Sequence, residues 1–431
     1  MTKWIRQMIG PLLLITFCPP LVMLVWYTNV SLDGSVQKLW QRFAEDGLFS
    51  TIYSIWSPVF FGTSKAWKIL AAFGALQLAL MKLLPGRKIE GWPTPKGNVP
   101  TYKANGVTAF LCTITLFYLG SSVFKLFSPT VIYDHFGGLL GALNIFSIIF
   151  CFLLYFKGRY RPSNTDSRTT GDAVSDYFWG MELSPRVFGW DIKMFTNCRF
   201  GMMGWGLIAL SFAAKQKELY GLSDAMIVAT SLQLLYIAKF FWWETGYMHS
   251  MDIMYDRAGF CICWGSLVWV PCIYSSPTLY MVGHPHHLGS LTAFAIFASG
   301  AICIFINYLA DRQRQYVRSK NGECTIWKKK PDLIFANYKT EWGEEKQSLL
   351  LASGWWGISR HFHYLPEFIA AFCWSAPALF NHYLPYFYLT FLFLLLIDRA
   401  YRQEKRCAMK YGKDWEKYCE QVPFRIIPFV Y

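Results

Sequence analysis

The feature that most constrains this chain is a recurrence of apolar runs, each long enough to cross a bilayer as a helix. They occupy residues 8–27, 66–84, 106–127, 137–156, 199–214, 224–243, 258–275, 289–309, 366–379 and 382–398. A helix rises about 1.5 Å per residue, so roughly 20 apolar residues span the hydrocarbon core. The backbone finds no water there and must satisfy its hydrogen bonds internally, which a helix does. The expected fold is therefore an all-α integral membrane protein, a helical bundle of about ten transmembrane spans. Composition agrees: 54% of residues are hydrophobic and only 16% charged, less charge than a soluble domain carries. The stretch 48–62 is apolar but short and holds Pro58, so it is expected to be re-entrant or interfacial. The first run continues into "SLDGSVQKLW" without a small-residue cleavage site, which predicts a retained helix rather than a signal peptide.

The net charge is +14, which on its own could suggest nucleic acid. Its placement points elsewhere. Lys and Arg gather after the second run (Arg87, Lys88, Lys96, Lys103), after the fourth, after the eighth and after the last, whereas the loop 276–288 is nearly free of them. That asymmetry is the positive-inside pattern and predicts cytosolic termini, with no nucleic-acid partner. The 12 cysteines sit mostly inside apolar runs without a C-x-x-C, as buried free thiols do.

Polarity changes character near residue 180. Up to that point apolar spans are joined by solvated Pro/Gly-rich loops such as "LPGRKIEGWPTPKGNVP". Beyond it, from "GMELSPRVFGWDIKMFTNCRFGMM", charged and aromatic residues press directly on apolar segments. Ionisable groups at membrane depth are costly and mark functional regions by default. The expected division is thus 1–180, N-terminal transmembrane helices, and 181–431, a catalytic transmembrane region. No G-x-G-x-x-G, Walker loop or G-x-S-x-G elbow occurs in a supporting context.

Four clusters could carry chemistry. In "FFWWETGYMHSMDIMYDRAGF" (240–260), Glu244, Met248 and Asp252 recur every four residues with Tyr247 beside them, one face of a helix. Acids on such a face next to tryptophans lose water, which favours a protonated proton donor; a loop bonding its own backbone is the bland alternative. "GHPHHLG" (283–289) offers three histidines, but Pro285 and the flanking glycines read as a turn rather than a metal site. In "DRQRQYVRSKNGECTIWKKKP", Arg314 and Arg318 share a helical face just past a span; guanidinium forks suit phosphates, although a charge run there is usually a topological anchor. The fourth joins "GWWGISRHFHYLPEF" (354–368) to the tail "LIDRAYRQEKRCAMKYGKDWEKYCEQV". Together these supply cations for phosphates, flat rings for adenine or nicotinamide, and a membrane slot for an apolar substrate. They describe an intramembrane enzyme that brings a charged cofactor to a lipid.

At these residues the chain resembles the sterol reductases that use NADPH to saturate a ring double bond. The likeness runs through "KFFWWETGYMHSMDI", "NCRFGMM", "DRQRQYVR", "LLLASGWWGISRHFHY", "LPYFY" and "KYGKDWEKYCEQVPFRIIP". "RHFHY", with Phe362 where the Δ14 branch has proline in "RHPNY", resembles the Δ7 branch and its plant form in particular. The resemblance implies a sterol substrate, surrounding membrane lipids, and NADPH contacts at Arg314, Arg318, Leu351, Trp356, His363, Tyr364, Cys407, Lys410, Tyr411 and Tyr418. Gln403 stands where the family commonly has Asp, and His363 where it often has Asn. It also implies residence in the endoplasmic reticulum of a eukaryote or the inner membrane of a bacterium.

The chemistry follows from the diene. Hydride does not add readily to an electron-rich alkene, so a proton comes first, conjugation makes the cation allylic, and hydride quenches it. Tyr247, Glu244 and Asp252 are candidates for the acid or its relay; for His361 a structural hydrogen bond is expected. The alternatives are Δ14 reduction, an S-adenosylmethionine-dependent membrane methyltransferase, which shares "RHxxY" and a basic tail but leaves the chain before residue 350 unexplained, and a non-catalytic sterol-binding protein.

Overall fold

A computed structural model describes residues 8–91, 93, 94, 96–339 and 343–430. Among these, eight helices are long and apolar enough to cross a membrane, as an integral membrane protein requires. We number the long helices α1 (Gly10–Ser31), α2 (Ser64–Leu83), α3 (Gly106–Val123), α4 (Phe136–Tyr160), α5 (Met203–Tyr220), α6 (Asp224–Trp242), α7 (Phe260–Gly283) and α8 (Ser290–Ser319). They continue with α9 (Tyr364–Ser375), α10 (Leu384–Tyr411) and the short α11 (Lys413–Gln421).

The two expected spans missing from the eight have local causes. Three charges, Lys215, Lys217 and Glu218, fall within the 18 residues of α5, and α9 has only 12 residues. A π-helical lead-in, Met194–Met202, precedes α5. Side-chain caps open several helices: Thr63 accepts from the Ala66 N–H before α2, and Ser223 from that of Met226 before α6. The stretch 48–62 forms a helix, Leu48–Trp56, followed by a tight turn, with Phe49, Tyr53 and Phe61 exposed.

The chain packs as two compact units, 8–293 with 376–388, and 294–375 with 389–430. The change in composition near residue 180 therefore marks something other than a packing boundary. In the first unit α5 packs on α6 and on the Ser276–Gly283 end of α7. The first half of α4, from Phe136 to Asn144, is buried throughout, and Asn144 accepts the Trp264 indole N–H at 2.9 Å. Pro271 lies in a π-helical stretch of α7, Gly265–Tyr274, where the wider turn absorbs a missing N–H. Two small antiparallel pairs lie in this unit's loops: β1 (Arg87–Glu90) with β2 (Thr101–Ala104), and β3 (Arg186–Val187) with β4 (Trp190–Asp191).

The second unit holds most of α8, then α9, most of α10 and α11. It also holds a hairpin of β5 (Leu333–Lys339) and β6 (Glu345–Leu351), registered Leu333 to Leu351. Alternate residues of β5, Ile334 and Ala336, face α11, and Ala336 forms a core with Leu350 of β6, Ala352 just after it, and Trp415, Tyr418 and Val422. A second core joins Val317 of α8 to Ile326, Leu351 and Trp356.

Candidate functional site

In the first unit, the segment carrying Glu244, Tyr247 and Asp252 is not one helix. α6 stops at Trp242, single turns follow at Glu244–Tyr247 and Met251–Met254, and the expected shared face is broken between them. The break is local: a Cβ on Gly246 would stand 2.0 Å from the Trp243 ring nitrogen, so the turn closes only around a glycine. The packing expected around the acids also differs, because Trp242 is 68% exposed.

Glu244 is buried and tied down rather than poised. One oxygen lies 2.6 Å from the Arg199 guanidinium and the other accepts the Gly106 N–H at 2.9 Å. Arg199 also donates to Asn105 Oδ1 at 2.9 Å, and the Asn105 amide in turn reaches the last carbonyls of α2. A side chain on Gly106 would strike Phe241, Arg199 and Glu244 together, so this position admits glycine alone. The start of α3, the lead-in to α5 and the turn after α6 are thus held by one buried ion pair.

Tyr247 is half-buried against Phe240, with ring centroids 4.8 Å apart. Its hydroxyl accepts from the Asn197 amide at 2.6 Å, and Asn197 Oδ1 accepts from the Ser266 hydroxyl at 2.5 Å. Asp252 is 8% exposed. Its carbonyl, with those of Ile253 and Asp256, accepts from the buried Lys193 ammonium at 2.8, 2.8 and 2.6 Å. Burial pushes that ammonium down to about 8. Lys193, Asn197 and Arg199 were not singled out from the sequence, although "DIKMFTNCRF" signals them: three polar residues at 193, 197 and 199 just ahead of an apolar run.

The second unit gathers the residues the family resemblance assigns to the cofactor. Arg314 lies 4.0 Å above the Trp356 ring, and Trp356 is fixed by its indole N–H to the Ala310 carbonyl at 2.8 Å. Arg318, one turn on and exposed, is within electrostatic range of Arg314, Cys407, Tyr411 and Tyr418. Leu351 ends β6 and is buried beside Trp356. The His363 ring lies 5.0 Å from Trp356 and 4.2 Å from Tyr364. Tyr418 donates to the Trp356 carbonyl at 3.4 Å, and burial raises its phenol above the ordinary range. Tyr411 donates to the Ser348 hydroxyl at 3.1 Å, and Lys410 sits 3.8 Å over the Tyr338 ring. Cys407 and Gln403, half-buried, lie one turn apart on α10.

The "RHFHY" string divides its labour. Arg360 is a clamp: its Nε donates to Glu404 at 2.8 Å and its Nη1 to the carbonyls of Val422 and Pro423 at 2.6 and 2.9 Å. Arg425 meets the other Glu404 oxygen at 2.9 Å. His361 stacks on Tyr364 at 5.4 Å, and neither ring nitrogen has a hydrogen-bond partner, contrary to the structural hydrogen bond expected of it. Burial, with His363 and the nearby arginines, holds its imidazole well below the usual histidine range.

The proton-delivery candidates thus lie in the first unit and the cofactor candidates in the second, and within the second the latter converge. Comparison with known proteins is consistent along the whole chain. It is 52% identical over 420 residues to 7-dehydrocholesterol reductase of Arabidopsis thaliana, covering 97% of this chain and 96% of that one. It is 36% identical over 388 residues to 7-dehydrocholesterol reductase of Xenopus laevis, covering 87% and 82%. It is 34% identical over 426 residues to Delta(14)-sterol reductase of Methylotuvimicrobium alcaliphilum, covering 97% and 94%. Residues 9–431 match the family described as ergosterol biosynthesis ERG4/ERG24, a span that a likeness confined to "RHxxY" and the tail would leave unexplained. The chain belongs to this family of membrane sterol reductases.

Proposed function

We propose that the chain reduces the C7–C8 double bond of Δ5,7-sterols with NADPH. The observation that carries the cofactor reading is the convergence of Arg314, Arg318 and Lys410 with Trp356, Tyr364, Tyr411 and Tyr418 in the second unit. Three cations, two of them over aromatic faces, suit a phosphate-rich dinucleotide. The two nearby acids compete little: Asp311 meets Arg314 at a long 3.4 Å, and Glu404 is consumed by Arg360 and Arg425.

Arg314 and Arg318 would hold phosphate, with Lys410 beside them; Trp356 and the tyrosines would offer faces to the rings. When bound, NADPH supplies the hydride. The rest falls to the chain's own side chains. Tyr247, whose oxygen accepts from Asn197, is the residue to which we assign proton delivery to the diene. Lys193 holds the 252–256 turn, and Glu244 with Arg199 fixes the turn on which Tyr247 stands. All these residues follow residue 180, so 181–431 is the catalytic region. The sterol enters from the bilayer, that of the endoplasmic reticulum in a eukaryotic host or of the inner membrane in a bacterial one.

The Δ7 assignment rests on "RHFHY" and on the relatives' named activity. Expression of the full chain in yeast that accumulates Δ5,7-sterols, with sterols read by mass spectrometry, should yield products that lack the C7–C8 double bond. Turnover of Δ8,14-dienes with Δ5,7-dienes untouched would move the chain to the Δ14 reaction.

A further inference from the structure

A cavity of about 410 Å³ opens in the first unit at the end of α2. Its wall draws on four separate stretches: the end of α2, the β1–β2 hairpin, the β3–β4 hairpin and the lead-in to α5. Lys82, Lys88, Lys103, Arg186 and Arg199 line it, against one carboxylate in that lining, Asp191. The positive-inside rule accounts for cations beyond a span, but it does not gather them from four segments around one concavity.

The local arrangement is one that an anion would relieve. Lys88 stands directly opposite Lys103 in the β1–β2 register, and like charges facing across an antiparallel pair weaken it. Arg199 uses Nη2 on Glu244 and Asn105, while its buried Nε and Nη1 have no hydrogen-bond partner. Unpaired donors buried beside a cavity call for an acceptor. Asp191 opposes an anion weakly, because burial raises its carboxyl above the ordinary range; its Oδ1 already accepts the Met194 N–H at 3.0 Å. The remaining cations are oriented but not used up. Lys82 sits 3.9 Å over the Trp190 ring, Lys103 gives one hydrogen to the Lys82 carbonyl at 2.8 Å, and Arg186 is anchored on the Thr101 carbonyl. Each keeps further donors.

We propose that this cavity binds a phosphate group, carried by an anionic lipid headgroup or free in solution. Two guanidiniums and three ammoniums match the acceptor oxygens of a phosphate monoester, and the volume admits the phosphate with part of a headgroup. The site uses none of the residues assigned above to NADPH, and of those assigned to the reduction it shares only Arg199, which holds the Tyr247 turn through Glu244.

The test uses the full chain in phosphatidylcholine nanodiscs. Thermal unfolding is followed with added inorganic phosphate, and separately with phosphatidic acid or oleate in the bilayer. Phosphate or phosphatidic acid should raise the Tm, as any ligand of the native state does. A response to both assigns a site open to free phosphate; a response to phosphatidic acid alone assigns the headgroup. The Lys88→Ala/Lys103→Ala variant, changed only at exposed hairpin residues, should weaken the response roughly tenfold or more in apparent Kd through the loss of two charge-assisted contacts. Arg186→Gln should do the same through the opposite wall. No stabilisation by either phosphate source would overturn the proposal. So would a wild-type response in both variants, or an equal shift with oleate, which carries the charge without the phosphate.

Discussion

Around the proton-delivery candidates of the first unit and the cofactor candidates of the second, charge is used in opposite ways. In the first, Lys193, Arg199 and Glu244 are each 3% exposed or less, and Lys193, Glu244 and the Nη2 end of Arg199 are spent on the protein itself, on three carbonyls, on each other and on a backbone N–H. In the second, Arg314 and Lys410 lie over aromatic rings and Arg318 is exposed on α8. Buried and paired charge is scaffold; oriented and partly exposed charge is available to a ligand. Glu244, a charge that would by default be read as catalytic, has the pairing of a scaffold residue, whereas the cations of α8 and α10 are the more available to a ligand. The Arg360–Glu404–Arg425 clamp shows the scaffold pattern inside the second unit, so the distinction follows pairing rather than position in the chain.

The largest expected effect breaks the scaffold. Arg199→Met leaves a buried carboxylate without its cation and should cost about 3–5 kcal/mol of stability, read as a lowered Tm in detergent. Combining it with Glu244→Leu should recover much of that loss, because replacing both partners of a buried pair with apolar groups is often neutral. An Arg199→Met protein that unfolds like wild type but turns over nothing would place the pair in the chemistry and end the contrast between the units.

Tyr247→Phe should separate from that behaviour. It keeps the ring against Phe240 and removes the proton, so stability should hold while kcat falls about 100-fold or more. Wild-type turnover with both sterol and NADPH bound would move proton delivery elsewhere.

The spans were legible because periodicity and length decide them; the caps Thr63 and Ser223 that open two of them are local signals that went unread. The break after Trp242 was not: "ETGYMHSMD" carries helical spacing throughout, and its interruption depends on Gly246 closing under Trp243 and on Lys193 capturing carbonyls about 60 residues away. The role of Glu244 was hidden for the same reason, since its partners Arg199 and Gly106 lie 45 and 138 residues distant. In the second unit the motif residues were found through family likeness. The clamp within "RHFHY" was not, because its acid, Glu404, sits 44 residues on in a run that reads as an ordinary charged tail.

The availability of the α8 cations is tested by Arg314→Ala, which should raise the KM for NADPH by roughly 10- to 100-fold, the range of a charge-assisted contact. The cofactor is expected to be NADPH because the positive charge exceeds what a pyrophosphate alone needs. Arg318→Ala should therefore raise the KM for NADPH much more than that for NADH. Equal effects on both cofactors would remove the case for 2′-phosphate recognition at Arg318.

The smallest effect probes a residue that belongs to neither pattern. His361 is buried, bonded through neither ring nitrogen, and faced by His363, Arg360, Arg314, Arg425 and, at 3.8 Å, Glu404. Its folded pKa lies well below the unfolded value of 6.5. Below that value the unfolded chain takes up a proton that the native state refuses, so stability is intact at neutral pH and falls as the medium becomes acidic. The slope approaches about 1.4 kcal/mol per pH unit for one proton. His361→Phe keeps a ring stacked on Tyr364 and removes the titrating group. It should match wild type in Tm at neutral pH and lose less stability on acidification. An unchanged acid slope would mean that other groups carry it. A large loss at neutral pH would mean that an imidazole nitrogen supports the site after all, and His361 would then join the cations of the second unit as a working residue.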